Sequence, residues 1–182
     1  VAAYSSKAGA VVAAVMLSLL GGQACANNAG ALPGGATTLR ETYGDWAVSC
    51  ASAPQNGTPG KVCSFSQEQA NGQPRQRVLV VELRPNGSSA EGTLVLPFGL
   101  ALEQGARLQI DEGQVQPPLR FRTCVPAGCL VSLSFEDKAL EALRKGNSLR
   151  IKVAADGGRE VTLAVPLRGF AGAHDRTKAL AR

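Results

Sequence analysis

Apolar and polar residues alternate with a period of two through most of this chain. Trp46, Val48 and Cys50 alternate with Ala47 and Ser49, and Val62 to Gln69 continues the pattern after a turn-rich stretch. Val78-Leu-Val-Val-Glu-Leu83 is a β-branched run closed by Pro85-Asn-Gly87, and Thr93-Leu-Val-Leu96 runs into Pro97-Phe-Gly99. Arg107-Leu-Gln-Ile-Asp111 stops at Glu112-Gly113, and Leu149-Arg-Ile-Lys-Val153 and Val161-Thr-Leu-Ala-Val165 flank Asp156-Gly157-Gly158. Successive residues of an extended chain point to opposite faces. Short runs of this kind with turn residues between them predict an all-β, single β-sandwich-like domain of short antiparallel strands. One segment departs from the period. Asp137 caps Lys138-Ala-Leu-Glu-Ala-Leu-Arg-Lys145, Glu141 and Lys145 stand at i,i+4, and Gly146-Asn147 stops the run, which predicts one short helix over 137–145.

The amino-terminal part has a different pattern. Lys7 precedes an apolar run from Ala8 to Leu20, Gly21-Gly22 breaks it, and Ala24-Cys25-Ala26 offers small residues for cleavage. This is the layout of a secretory signal peptide, so residues 1–26 are expected to be removed on export. The rivals are an uncleaved anchor over residues 8–26, which would tether the chain to the inner membrane facing the periplasm, and lipidation at Cys25. Residues 27–40 lack period and charge until Arg40 and are expected to form a flexible leader. The β-domain is expected over 41–170 and a basic, partly helical carboxy-terminal tail over 171–182.

Composition adds the compartment. Of 182 residues 45% are apolar and 18% charged, which excludes wholesale disorder, and 21 glycines with 10 prolines suit turns better than a helical bundle. Four cysteines remain after the leader: Cys50, Cys63, Cys124 and Cys129. An even number in an exported chain predicts disulfides. Four cysteines permit three pairings, and turn chemistry favours the local one. Cys124-Val-Pro-Ala-Gly-Cys129 sets a turn between two alternating runs, Leu119–Cys124 and Leu130–Phe135, and Cys50 and Cys63 flank Pro54-Gln-Asn-Gly-Thr-Pro-Gly60. A four-cysteine zinc site would want close pairs at both ends, and no C-x-x-C redox pair occurs. No cofactor or metal is expected.

Little in the chain suggests catalysis. The one histidine is His174, and no histidine lies near Ser132 or Ser134 to activate them. Asp111 and Glu112 are adjacent on a strand end and so point apart, which suits a turn better than acid–base chemistry. Trp46 is expected to anchor the core, with Asp45 capping a turn or pairing with an arginine. Gly157-Gly158 is expected to be a hairpin turn, since no Gly-Lys-Ser/Thr follows.

The basic residues carry more information. Without Lys7 the chain keeps 18 basic against 14 acidic residues, a net charge of +4. Arg75/Arg77, Arg120/Arg122 and Arg150/Lys152 are i,i+2 pairs, so each pair shares one face of its strand. Such faces keep a sheet soluble and blunt its edges. If Arg120, Arg122, Arg150 and Lys152 shared one sheet, they would also present a surface to an anionic envelope component, such as lipid phosphates or acidic glycans. Nucleic acid is not an expected partner, because export removes it and aromatic residues do not interleave with the cations.

Read in order, Tyr43-Gly-Asp-Trp46 leading to Cys50, then Cys63, Leu96-Pro-Phe-Gly99 and Phe121-Arg-Thr-Cys124-Val-Pro-Ala-Gly-Cys129 form a series. Leu140 and Leu143 before Gly146, and Val165-Pro-Leu-Arg-Gly-Phe170, complete it. The series resembles the invasion-associated locus B family of exported bacterial envelope proteins, from about residue 40 to 175. The resemblance implies a β-rich domain, periplasmic or outer-membrane-associated, with no known catalytic activity and, in an intracellular pathogen, a role in host-cell invasion. It transfers no catalytic residue, only the four cysteines and the Gly-Asp-Trp motif as structural positions. The expected function is non-catalytic binding to an envelope protein or anionic component. The alternative is an accessory subunit, anchored by residues 8–26 and docked on an inner-membrane complex.

Overall fold

The computed structural model describes residues 32–53, 60–72 and 76–182. The expected signal peptide lies outside them, as do most of the Cys50–Cys63 loop and Arg75. Among the described residues ten strands follow one another: β1 (Thr38–Tyr43), β2 (Trp46–Ser52), β3 (Lys61–Asn71), β4 (Gln76–Asn86), β5 (Ser89–Leu96), β6 (Arg107–Ile110), β7 (Phe121–Val125), β8 (Gly128–Phe135), β9 (Ser148–Ala154) and β10 (Glu160–Pro166). The described residues also form two α-helices, α1 (Asp137–Lys145) between β8 and β9 and α2 (Phe170–Leu180) after β10.

The strands form a seven-stranded sheet in the order β1-β2-β3-β4-β5-β8-β7 and a three-stranded sheet in the order β10-β9-β6. Every pairing between them is antiparallel. The alternation read from the sequence is the burial pattern of the strands. Trp46, Val48 and Cys50 point inward from β2, Val131, Leu133 and Phe135 from β8, and Leu149, Ile151 and Val153 from β9, while Ser132 and Ser134 are exposed. Both sheets share one core. The sheets also touch along one side, where Ala106 at the start of β6 bridges Leu119 just before β7. At the other side no backbone ladder joins them among the described residues. There Gln67 and Gln69 of β3 donate their side-chain amides to the Pro166 and Ala164 carbonyls of β10 at 3.2 and 2.7 Å.

Three expectations need correction. The leader expected over 27–40 is already structured before its end: Leu32 is buried and β1 starts at Thr38. The reason is pairing, since Thr38, Leu39 and Arg40 stand opposite Ala51, Cys50 and Ser49. The partly helical basic tail expected from residue 171 is a helix over most of its length and part of the core, with Phe170, Ala173, His174, Thr177 and Leu180 buried against the large sheet. Spacings of three and four residues put these on one helical face, and Thr177 satisfies its buried hydroxyl by donating to the Ala173 carbonyl at 2.7 Å. The cap of α1 is Glu136 rather than Asp137, and no side chain bonds there. The expected pair on α1 does form, Lys145 to Glu141 at 2.8 Å.

Candidate functional site

The most elaborate side-chain cluster joins the two ends of the folded chain. Trp46 is buried and meets Phe170 edge to face at 5.0 Å and Phe65 at 5.6 Å. Such tilted and edge-on contacts are the favoured aromatic geometry. Its indole N–H donates to the Pro166 carbonyl at 3.1 Å. Beside it, Arg168 clasps Asp45 with two guanidinium nitrogens at 2.6 and 3.1 Å, and the Asp45 amide donates to the Arg168 carbonyl at 3.0 Å. Arg176 of α2 clasps Glu41 of β1 in the same way at 2.7 and 2.8 Å, and the Tyr43 hydroxyl donates to Glu41 at 3.0 Å. These arginines hold the carboxyls of Asp45 and Glu41 below their usual range. Burial, with the Glu41 carboxylate next in weight, pushes the Tyr43 hydroxyl up.

His174 sits in the same core. Its ring packs edge to face on Phe65 and lies parallel to Phe170, with centroids 5.8 and 6.5 Å away. A guanidinium has no acceptor, so the 3.0 Å contact from Arg144 of α1 makes His174 Nδ1 the acceptor and the imidazole neutral. Burial, then the Arg144 charge, lowers its pKa. Arg144 also grips Asp175 at 2.7 and 2.9 Å, locking α1 to α2. A shallow groove of about 370 Å³ outside this trio also includes Ser88. Serine, histidine and aspartate therefore border one groove, but Nδ1 is engaged by Arg144 and the ring is clamped by two phenylalanines. The arrangement serves to join helices. Asp111, with φ +49°, accepts the Asn147 and Ser148 amides at 3.0 and 2.9 Å, and Glu112 pairs with Arg150 at 2.6 Å. Both carboxylates brace the turn into β9. Among the described residues no three His, Cys, Asp or Glu side chains gather as metal ligands.

The cysteines pair locally. Cys50 and Cys63 are directly opposite in β2 and β3, and Cys124 and Cys129 in the β7–β8 hairpin, with Cα separations of 4.1 and 3.9 Å.

The four expected cations do not share a sheet. Arg120 and Arg122 belong to the β7 segment at the edge of the large sheet, whereas Arg150 and Lys152 lie on the middle strand of the small one. The two segments follow different ladders, which the i,i+2 spacing could not register. Arg150 is moreover neutralised by Glu112. The register supplies a cation that spacing missed: Arg107 of β6 stands directly opposite Lys152 of β9, on the outer side of the Leu108–Ile151 core pair. Arg107 also adjoins the Ala106–Leu119 bridge, which brings it next to the Arg120 segment. Among the described residues Arg107, Arg120 and Arg122 have no ion-pair partner.

Comparison with known proteins accords with this architecture. The family model described as invasion associated locus B (IalB) protein matches residues 46–178. An invasion protein B homologue of Brucella abortus (strain 2308) is 44% identical over 156 residues, which cover 85% of this chain and 87% of the relative. Invasion protein B of Bartonella bacilliformis is 33% identical over 152 residues, 82% of this chain and 80% of that protein. The crystal structure of invasion associated protein B from Bartonella henselae superposes with a TM-score of 0.70 at 36% identity, covering 78% of this chain and 96% of the other. The chain belongs to the invasion-associated locus B family.

Proposed function

We propose that this chain is an exported, non-catalytic interaction protein of the bacterial envelope, periplasmic or outer-membrane-associated, that holds an anionic envelope component on its cationic strand faces. In a host-associated bacterium the same contact would serve invasion, the role that the relatives' names give to them. The observation that carries this reading is the Arg107–Lys152 pair. Two cations directly opposite in a ladder repel and destabilise, so their placement side by side on an outer face favours a bound anion that offsets the repulsion. Support comes from the carboxylates. Glu41, Asp45, Glu112 and Asp175 are each committed to an arginine that orders the fold, whereas an acid–base catalyst needs a carboxylate or imidazole free to exchange its proton.

The test is retention on immobilised heparin and on neutral dextran. Wild type should bind heparin alone and release with rising salt, and Arg107→Ser/Lys152→Ser should elute at clearly lower salt. Equal, salt-insensitive behaviour of both proteins would reject the reading. Export is tested by cell fractionation with intact mass, where a periplasmic chain starting at Asn27 is expected.

A further inference from the structure

The described residues leave three large apolar side chains markedly open to water: Phe98 at 61%, Leu102 at 41% and Val125 at 37% exposure. They are not scattered. In the register Leu96 stands opposite Cys129, Cys129 opposite Cys124, and Val125 opposite Gly128. Phe98, two residues beyond Leu96, and Val125, at the hairpin tip, therefore emerge past the same end of β5 and β7, the two strands that flank β8. Adjacent strands are about 4.8 Å apart, so β5 and β7 lie about 10 Å from each other. Leu102 borders the same edge, in a recess of about 420 Å³ that it shares with Glu103, Arg120, Phe121, Arg122 and Thr123. The Cys124–Cys129 bridge holds the hairpin tip in shape.

This layout suits a membrane surface better than a protein. A stable protein contact covers about 800 Å² on each partner around a buried centre. Here Phe98 and Val125 sit on the tips of two turns, and Leu102 shares a recess along the same edge with the unpaired guanidinium groups of Arg120 and Arg122. Apolar tips entering the acyl boundary, with cations meeting the phosphates, is how a protein rests on an anionic bilayer.

We propose that this edge docks on an anionic phospholipid bilayer, with Phe98 and Val125 in the interface, Leu102 at its margin, and Arg120 and Arg122 on the lipid phosphates. The inference rests on the anion-binding reading for the two arginines and adds the bilayer as the source of the anion. Phe98→Trp in the full chain gives a local probe, because Trp46 is the only native tryptophan and is 1% exposed. Vesicles of brominated phosphatidylglycerol should quench the introduced indole and shift its emission to the blue, and brominated phosphatidylcholine should do so far less. Adding Arg120→Ser/Arg122→Ser should weaken the partition roughly thirtyfold, since each cation near an anionic surface is worth about a fivefold change. The Trp46 emission reports that each variant is folded.

An indole that anionic vesicles leave unquenched overturns the inference. Equal quenching with and without the two arginines also overturns it, because residues 8–20 or another segment would then be carrying the protein to lipid. Heparin retention with an unquenched indole removes the bilayer and leaves the anion-binding role. Loss of heparin retention as well removes both.

Discussion

Gly169 is pressed so closely on Tyr43 that a β-carbon added to it would come within 1.9 Å of the Tyr43 carbonyl oxygen. Gly44 is similarly close to the Arg168 carbonyl, at 2.5 Å. The turn of Tyr43-Gly-Asp-Trp46 and the bend of Leu167-Arg-Gly-Phe170 are therefore two halves of one joint. Backbone contact at the glycines brings the Asp45 carboxylate to Arg168 and starts α2 where Phe170 can meet Trp46.

Gly169→Ala should accordingly be among the most damaging small substitutions. It combines a positive φ of 91° with a clash against backbone that cannot rotate away, and together these cost about 3 kcal/mol or more. Gly157→Ala, at φ 95° but with open space around it, should cost only about 1–2 kcal/mol. Urea denaturation of the two variants measures the difference.

The two disulfides should differ in both stability and access. Removing Cys50–Cys63, which spans a sequence separation of 13, should cost about 3 kcal/mol, and removing Cys124–Cys129, with a separation of 5, about 2 kcal/mol. Cys50 and Cys63 are both buried, whereas Cys124 is exposed. Mild reductant under native conditions should therefore open Cys124–Cys129 first. Peptide mapping after timed alkylation reads the order.

Stability should fall as the medium is acidified through the histidine range. The folded pKa of His174 lies below its ordinary 6.5, so the unfolded chain takes up its proton first. The contribution is complete above about pH 6.5 and is lost progressively as pH falls through the folded value. A second loss should follow below about pH 4.5, where Glu41 and Asp175, lowered by Arg176 and Arg144, become protonated. Because the chain has a single histidine, one imidazole proton resonance gives the folded pKa directly. His174→Gln, which keeps an acceptor for Arg144, should be less stable at neutral pH and nearly flat between pH 7.5 and 5.5.

Deleting residues 170–182 should unfold the domain rather than trim a tail. The deletion removes five buried side chains, including the ring that packs on both Trp46 and Phe65. Loss of a single buried Phe alone costs about 3–5 kcal/mol, comparable with the lower end of a whole domain's stability. A red-shifted, readily quenched Trp46 emission would report the exposed core.

The strands from β2 onward, their inward faces, the cysteine hairpin and the Glu141–Lys145 pair were legible in the sequence, because each follows from local periodicity, turn residues or spacings of a few positions. Trp46 as a core anchor was legible for the same reason. β1 was not, since only its pairing with β2 makes Thr38–Tyr43 a strand. The carboxy-terminal helix was legible only as a partly helical tail, not as a part of the core. Its buried face consists of Phe170, Ala173, His174, Thr177 and Leu180, and alanine, histidine and threonine do not mark a core face until a sheet is there to receive them. Its period of three and four was the available signal. The cation pattern failed for a related reason. Spacing shows which side chains share a strand face, but not which strands share a sheet. Only the long-range register could separate Arg120 and Arg122 from Arg150 and Lys152, set Arg107 opposite Lys152, and close Gly44 on Gly169. Those contacts depend on pairing between distant segments, which the packing of one common core decides.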